Sequence, residues 1–521
     1  MNRSIQEAII NTRIDASTIN LLLPFQVEHL QHLIYCINKY NICLDASDTG
    51  TGKTYTNMAL VKQLQFKPFI VCPKSVISAW QDVANQFNVQ PLAIVNYETL
   101  RNGKYYENNK RVMCPYVTKE KKKREYAWNF PKKTLVIFDE AHKSKNMKTA
   151  NNKMLLSLKS YLTSSVKLSL LSASISDKRI AIKYIAYMLG LYDTSGNDKT
   201  SYRQWVVALK NSARKEIDND FLSKSASIPQ SEHKKLMQKI VDSHLFSKIY
   251  SMIFPERGSR MRIKQIKKMY SNRFNSSLIH PQCFAMEQEN VDAINTQYKR
   301  IQQAIQNIKN KTITETHPLT VILRARQEIE LLKIPAIINV AKSFLSTGYY
   351  SIVIFVNFTK TIKILGKKLT HIWKNFGKVY FDFLPMEINM KIHSYLAKPQ
   401  FLYGDQTAEE RQEIINAFQQ GLSRLIIANI SVGSVGLSLH DVTGVHPRVS
   451  IINTSFSAID LLQTLGRTCR AGANSDSLQF IVYCDGTIEN KICSNIQHKM
   501  CNISLLNDND ITGYDVNLVK T

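Results

Sequence analysis

Apolar and polar positions along this 521-residue chain fall into two stretches with the same rhythm. In each, short uninterrupted apolar runs are separated by segments of helical period. The first stretch, roughly residues 20–190, holds NICLDA (41–46), FIVCP (69–73), LAIVN (92–96), TLVIFDE (134–140) and KLSLLSA (167–173), with the amphipathic YTNMALVKQLQF (55–66) after the first run. The second, roughly 335–500, holds SIVIFVN (351–357), RLIIAN (424–429), VSIINT (449–454) and LQFIVYC (478–484), with helical patterns at 407–420, 457–469 and 487–500. Runs that are apolar at every position predict strands buried on both faces, and hence parallel sheets covered by helices. Residues 190–330 are polar, basic and helical in period, with few strand candidates; QENVDAINTQYKRIQQAIQNIKN (288–310) is an amphipathic helix. The expected fold class is α/β: two parallel-sheet domains in tandem, residues 1–190 and 331–505, with an intervening basic helical region over 191–330 and a polar tail over 506–521.

Composition narrows the function classes. Hydrophobic residues make up 44% and charged residues 21%, which is globular usage. No window supplies the roughly 20 uncharged apolar residues of a membrane span. The N-terminal MNRSIQEAIINTRID places charges where a signal peptide has its apolar core. Nine cysteines form no C-x-x-C pair, so neither a zinc knuckle nor a disulfide framework is indicated. Cys36, Cys43, Cys72, Cys283 and Cys484 sit among apolar residues and read as core positions. The expectation is an intracellular, reduced protein without membrane contact.

Charge changes the picture further. The net charge of +27 favours a polyanionic partner, most simply nucleic acid. The excess is clustered: 11 basic against 3 acidic residues over 101–133, 8 against 1 over 248–273, and 6 against none over 360–378. Clustering of this kind fits surfaces that track phosphates. A single run such as KEKKKRE (119–125) is equally compatible with a solvated loop.

Two motifs carry chemistry. SDTGTGKT (47–54) follows an apolar run and opens a helical pattern, the context of a phosphate-binding P-loop. Ser47, Asp48, Thr49, Gly50, Thr51 and Gly52 would form the cradle, the glycines letting backbone N–H groups turn inward. Lys53 would reach the β- and γ-phosphates, and the Thr54 hydroxyl would ligate Mg²⁺. In LVIFDEAH (135–142), a buried strand delivers Asp139 and Glu140 to its carboxyl end, where parallel sheets bind ligands. Asp139 is placed to hold Mg²⁺, and Glu140 to orient and deprotonate the attacking water.

This P-loop followed by D-E-A-H resembles the superfamily 2 helicase and translocase ATPases. Further motifs match in order: LLPFQ (22–26), PKSVISAW (73–80), NYETL (96–100), SAS (172–174), SIVIFVNFTKT (351–361), NISVGSVGLSLHD (429–441) and QTLGRTCR (463–470). The resemblance implies two RecA-like domains closing on ATP and Mg²⁺. It implies that Gln26 reads the adenine, that Gly436 lies at the nucleotide, and that His142, Ser172 and Ser174 couple ATP state to strand grip. It places Pro73, Lys74, Asn357 and the basic segment with Arg257, Arg260 and Arg262 on nucleic acid. Gln463, Arg467 and Arg470, spaced four and three apart, are expected on one helix face, with the arginines acting as fingers. Trp80 and Trp128 read as core residues or as base-stacking platforms.

PKSVISAW, NYETL, FPERGSRMRIKQIKK (254–268) and GTIENKI (486–492) resemble the Snf-type translocase branch. Residues 436–472 and 126–146 are most similar to helicase-like proteins of large nucleo-cytoplasmic DNA viruses and, more distantly, to the strawberry notch family. The resemblance implies a monomeric, nucleic-acid-dependent ATPase that moves along or unwinds DNA in viral transcription, replication or repair, located in host cytoplasm or virion. An RNA helicase in transcription or termination stays open, as does a binding module that holds ATP without hydrolysing it.

Overall fold

The computed structural model describes residues 3–108, 110–120, 125–173, 182–192, 198–221, 241, 244–269, 277–310, 316–381, 398–404, 406–430, 438–454, 457–469 and 473–506. Ser174, Gly436, Arg470 and nearly all of the polar tail lie outside them. The chain divides into two compact units near residue 266.

In chain order the first unit contains β1 (Ile42–Asp45), β2 (Lys67–Cys72), β3 (Ala93–Asn96), β4 (Lys104–Glu107), β5 (Lys110–Met113), β6 (Val117–Glu120), β7 (Glu125–Trp128), β8 (Thr134–Asp139), β9 (Val166–Leu171) and β10 (Gly258–Ser259). Six of these form one sheet in the order β10-β1-β9-β8-β2-β3, every pair parallel. Leu44, Phe69, Val71, Val136, Phe138, Leu168 and Leu170 are fully buried in its core. This explains why the sequence runs are apolar without alternation.

The second unit contains β11 (Ser277–Phe284), β12 (Ser351–Val356), β13 (Gln400–Leu402), β14 (Leu425–Asn429), β15 (Arg448–Asn453) and β16 (Ser477–Cys484). They form a second sheet in the order β11-β16-β15-β12-β14-β13, again parallel throughout. Helices Ile334–Leu345 and Thr359–Phe381 pack against it through Ile337, Ala341, Ile362 and Leu365. The fold is two RecA-like parallel-sheet domains in sequence, as expected.

Three strands add to those expected in the two parallel sheets. β10 and β13 are only two and three residues long, too short to leave a periodic signal. β11 includes Pro281 and sits at the sheet edge, where a missing N–H is tolerated. β10 depends on Gly258: a Cβ there would lie 2.9 Å from the Leu44 carbonyl oxygen, so only glycine allows this close pairing with β1. Of residues 191–330, the described ones up to 266 belong to the first unit and the rest to the second.

The basic stretch 101–133 also carries structure that its charge did not reveal. It forms two antiparallel pairs, β4 with β5 and β6 with β7. Val117, Tyr126 and Trp128 anchor it in the core, and the Trp128 indole donates to Ser157 Oγ at 2.8 Å. Arg101, Lys104, Lys110 and Arg111 remain exposed.

Helix Pro24–Tyr40 lies beside β1 and carries a pH-sensitive contact. His32 Nε2 lies 2.5 Å from the Pro255 carbonyl oxygen. Burial outweighs this hydrogen bond and pushes the His32 pKa from its usual 6.5 down to about 4. Between those values the unfolded chain binds a proton that the folded chain does not, so stability is lost as pH falls through this window. Thermal unfolding midpoints should therefore fall from pH 6.5 to pH 4, and His32→Gln should flatten part of that slope.

Candidate active site

The P-loop begins where β1 ends. Burial would raise the pKa of Asp45, but His29 beside it, the Lys53 charge and the Ser47 N–H outweigh that effect and hold it below the usual carboxylate range. Gly50 and Gly52 take φ of +87° and +90°, and Gly52 caps the helix Lys53–Leu64. Lys53 Nζ donates to the Ser47 and Asp48 carbonyls at 2.8 and 3.1 Å, so the ammonium lies over the loop's own backbone. Thr49, Gly50, Gly52, Lys53 and Thr54 stay partly exposed, while Thr51 is buried, its hydroxyl donating to the Asp48 carbonyl.

Two expected cradle residues have their side chains engaged elsewhere. Ser47 Oγ accepts the Met261 N–H at 3.0 Å. Asp48 takes Arg260 Nη2 at 2.6 Å on one oxygen and the Ile263 N–H at 3.0 Å on the other. Their side chains therefore anchor the loop to the segment after β10. Gln26, in the first turn of helix Pro24–Tyr40, holds the loop in the same way: Oε1 accepts the Leu23 N–H at 2.9 Å and Nε2 donates to the Thr51 carbonyl at 3.0 Å.

Gly52 makes that last contact possible, since a Cβ there would sit 2.2 Å from Gln26 Nε2. Gly52→Ala is expected to displace Gln26 and strain a left-handed backbone position, weakening ATP binding by about tenfold or more in a protein that remains folded. Nucleotide titration by calorimetry checks this.

The carboxylate pair stands at the end of β8. Asp139 Oδ2 accepts the Trp80 indole N–H at 2.9 Å, and its carbonyl accepts the Tyr97 hydroxyl at 2.7 Å. Burial, reinforced by the neighbouring Glu140 charge and opposed by Trp80 and Lys53, pushes the Asp139 pKa up to about 6. Glu140 adopts φ +55°, a left-handed conformation rare outside glycine and found at functional turns. Its Oε2 lies 3.1 Å from His142 Nδ1, which lies 3.3 Å from Ser172 Oγ. Glu140, His142 and Ser172 thus form a contiguous polar chain, with Ser172 just beyond β9, the strand between β1 and β8.

The P-loop, Ser172 and the carboxylates therefore emerge from the carboxyl ends of three adjacent strands. Their donor set fits a magnesium nucleotide: an ammonium, a hydroxyl, and two adjacent carboxylates whose repulsion a divalent cation would relieve.

The other expected residues divide. Lys74 is exposed at the end of β2, but Pro73 is buried. The segment 257–262 departs from the expected basic surface. Arg260 is 3% exposed and salt-bridged to Asp48, because a buried carboxylate needs a charged partner. Arg257 donates to the Leu189 carbonyl and lies over the Tyr40 ring, and Arg262 donates to the Tyr250 hydroxyl. In the second unit, Asn357, expected on nucleic acid, is half-buried with its side-chain amide engaged by Glu330. Its N–H and side-chain amide both donate to Glu330 Oε2, at 2.8 and 2.7 Å. Gln463 and Arg467 are buried within that unit. They do not share a helix face, because the helix Ala458–Leu465 ends at the Gly466 cap and Arg467 lies in the turn beyond it.

Sequence reasoning passed over several residues that build these sites. Trp80 reads in the sequence as a core residue or a base-stacking platform, not as a partner of Asp139, and Tyr97 and Asp45 are single polar groups at strand ends. Glu330 and Lys333 lie in the helical stretch before β12; Lys333 is fully buried and pairs with Glu489 of the GTIE segment at 2.8 Å.

Residues 5–173 match the family described as type III restriction enzyme, res subunit, and residues 336–472 match the helicase conserved C-terminal domain. The protein named Putative ATP-dependent RNA helicase L364, from Acanthamoeba polyphaga mimivirus, is 33% identical over 99% of this chain and 89% of its own. Among solved structures, S. cerevisiae Dbp5 bound to RNA and ADP BeF3 aligns over 94% of this chain and 93% of its own, at 13% identity and a TM-score of 0.44. With a P-loop and a D-E pair on one parallel sheet, a helicase C-terminal domain on the next, and a relative matched along nearly its whole length, this chain belongs to the ATP-dependent helicases of superfamily 2.

Proposed function

We propose that the chain is a nucleic-acid-stimulated ATPase that uses hydrolysis to translocate along or unwind DNA, inside a cell that hosts a large DNA virus. The observation that carries this reading is the chain Glu140–His142–Ser172 beside the P-loop. It links a carboxylate suited to activating water with a residue of the strand-coupling motif. In this proposal Lys53 and the loop amides bind the phosphates, while Thr54 and Asp139 hold Mg²⁺. The ion would neutralise phosphate charge and draw electron density from the phosphorus. Glu140 accepts a proton from the attacking water, and His142 fixes the carboxylate for that task. Gln463, Arg467 and Arg470 are assigned to stabilising charge in the transition state, and Lys74 to a strand phosphate.

The Snf-type resemblance of PKSVISAW, NYETL and GTIENKI favours DNA. The name of the mimivirus relative favours RNA, which is the second reading. The exposed Lys104 of β4 and Lys110 and Arg111 of β5 suit either backbone. ATPase rates with duplex DNA, single-stranded DNA and RNA, followed by triplex and strand displacement, decide between them. Stimulation by RNA alone overturns the DNA assignment, and turnover indifferent to every polynucleotide overturns the function.

A further inference from the structure

We infer that Trp80 is a positioning residue for the metal-binding carboxylate, its indole N–H holding the Asp139 side chain in the orientation that receives Mg²⁺. The inference rests on the reading of Asp139 as the Mg²⁺ carboxylate. Trp80 is fully buried in the helix Ile77–Gln86, which follows β2, the strand next to β8. Its Nε1 lies 2.9 Å from Asp139 Oδ2. The Tyr97 hydroxyl, 2.7 Å from the Asp139 carbonyl, fixes the same residue through its backbone. Backbone and side chain are thus clamped separately, from the segments that follow β2 and β3.

The chemical type of the donor matters. A lysine or arginine here would bring positive charge against an incoming divalent cation. A hydroxyl could rotate away. An indole offers one neutral N–H on a rigid, tightly packed ring, so it orients the carboxylate without setting a positive charge against the metal. With one lone pair committed to the indole, the carboxylate keeps acceptor capacity for a cation.

The test is ADP binding by calorimetry in the full chain, first in EDTA and then with Mg²⁺ titrated in, comparing wild type, Trp80→Phe and Asp139→Asn. Trp80→Phe keeps an aromatic ring in the pocket and removes the donor. It should leave metal-free ADP affinity within about twofold of wild type. It should raise the Mg²⁺ concentration for half-maximal enhancement by about tenfold to a hundredfold, the usual cost of losing a hydrogen bond to a metal ligand. Asp139→Asn should remove most of the enhancement. A wild-type Mg²⁺ midpoint in Trp80→Phe, with the enhancement lost in Asp139→Asn, overturns the role of Trp80 alone. A wild-type midpoint in Asp139→Asn overturns the reading of the carboxylate itself.

A second measurement does not depend on Trp80→Phe folding. The chain has four tryptophans, and the triple variant W128F/W205F/W373F leaves Trp80 as the sole indole. Its emission in the presence of ADP should change as Mg²⁺ is added, with the midpoint seen by calorimetry. An emission indifferent to Mg²⁺ overturns the inference.

Discussion

Lys53→Ala is expected to lower ATP turnover by about three orders of magnitude while the chain stays folded. The ammonium is held against the Ser47 and Asp48 carbonyls, so it is already stationed on the loop that the proposal assigns to the phosphates. Removing it takes away the positive charge that the proposed mechanism sets against the β- and γ-phosphates. The fold should tolerate the loss, because the loop keeps its other anchors: Asp48 to Arg260 and Ile263, Ser47 to Met261, and Thr51 to Gln26. Circular dichroism and thermal unfolding serve as the folding control. Near-normal turnover from a folded Lys53→Ala protein would remove the P-loop from the mechanism.

Glu140→Gln should separate binding from chemistry. The amide is nearly isosteric and retains an oxygen for the contact with His142, but it does not take a proton from water. Turnover should fall by about 10²- to 10⁴-fold, the usual contribution of a positioned general base. ATP affinity in the presence of Mg²⁺ should stay close to wild type, because Asp139 and Lys53 are untouched. The left-handed backbone at 140 is equally strained for either residue, so stability should not report the change. Comparing ATP binding with single-turnover hydrolysis checks both halves. Equal loss of binding and turnover would assign Glu140 to holding the nucleotide instead.

These two residues were legible in the sequence because their chemistry is contiguous. A P-loop and a D-E pair each fit inside eight residues, and the apolar run before each announces a strand end. The long strands were legible for the same reason, since burial on both faces forces an unbroken apolar run. What escaped depends on pairs far apart in sequence. Trp80 reaches Asp139 across 59 residues, and nothing near position 80 distinguishes a clamping indole from a packing one. Arg260 was counted in a basic cluster because a charge count ignores partners, and its partner Asp48 lies 212 residues away. Asn357 is likewise claimed by Glu330 from a helix in the preceding stretch. Gln463 and Arg467 do not share the expected face for a local reason: the helix ends at Leu465, two residues before Arg467, with Gly466 as its cap.

The strand β10 bears on how the protein is made. The P-loop precedes residue 60, yet Ser47 and Asp48 are bonded to residues 260–263. A ribosome that has released only the first 190 residues has supplied the loop, the carboxylates and most of the sheet. It has not supplied what covers the open edge of β1 or neutralises Asp48. Nucleotide affinity should therefore appear only after residue 263 has cleared the exit tunnel. The unit that is competent to be inherited, swapped or expressed alone is then longer than its motifs suggest, and reaches at least to Ile263.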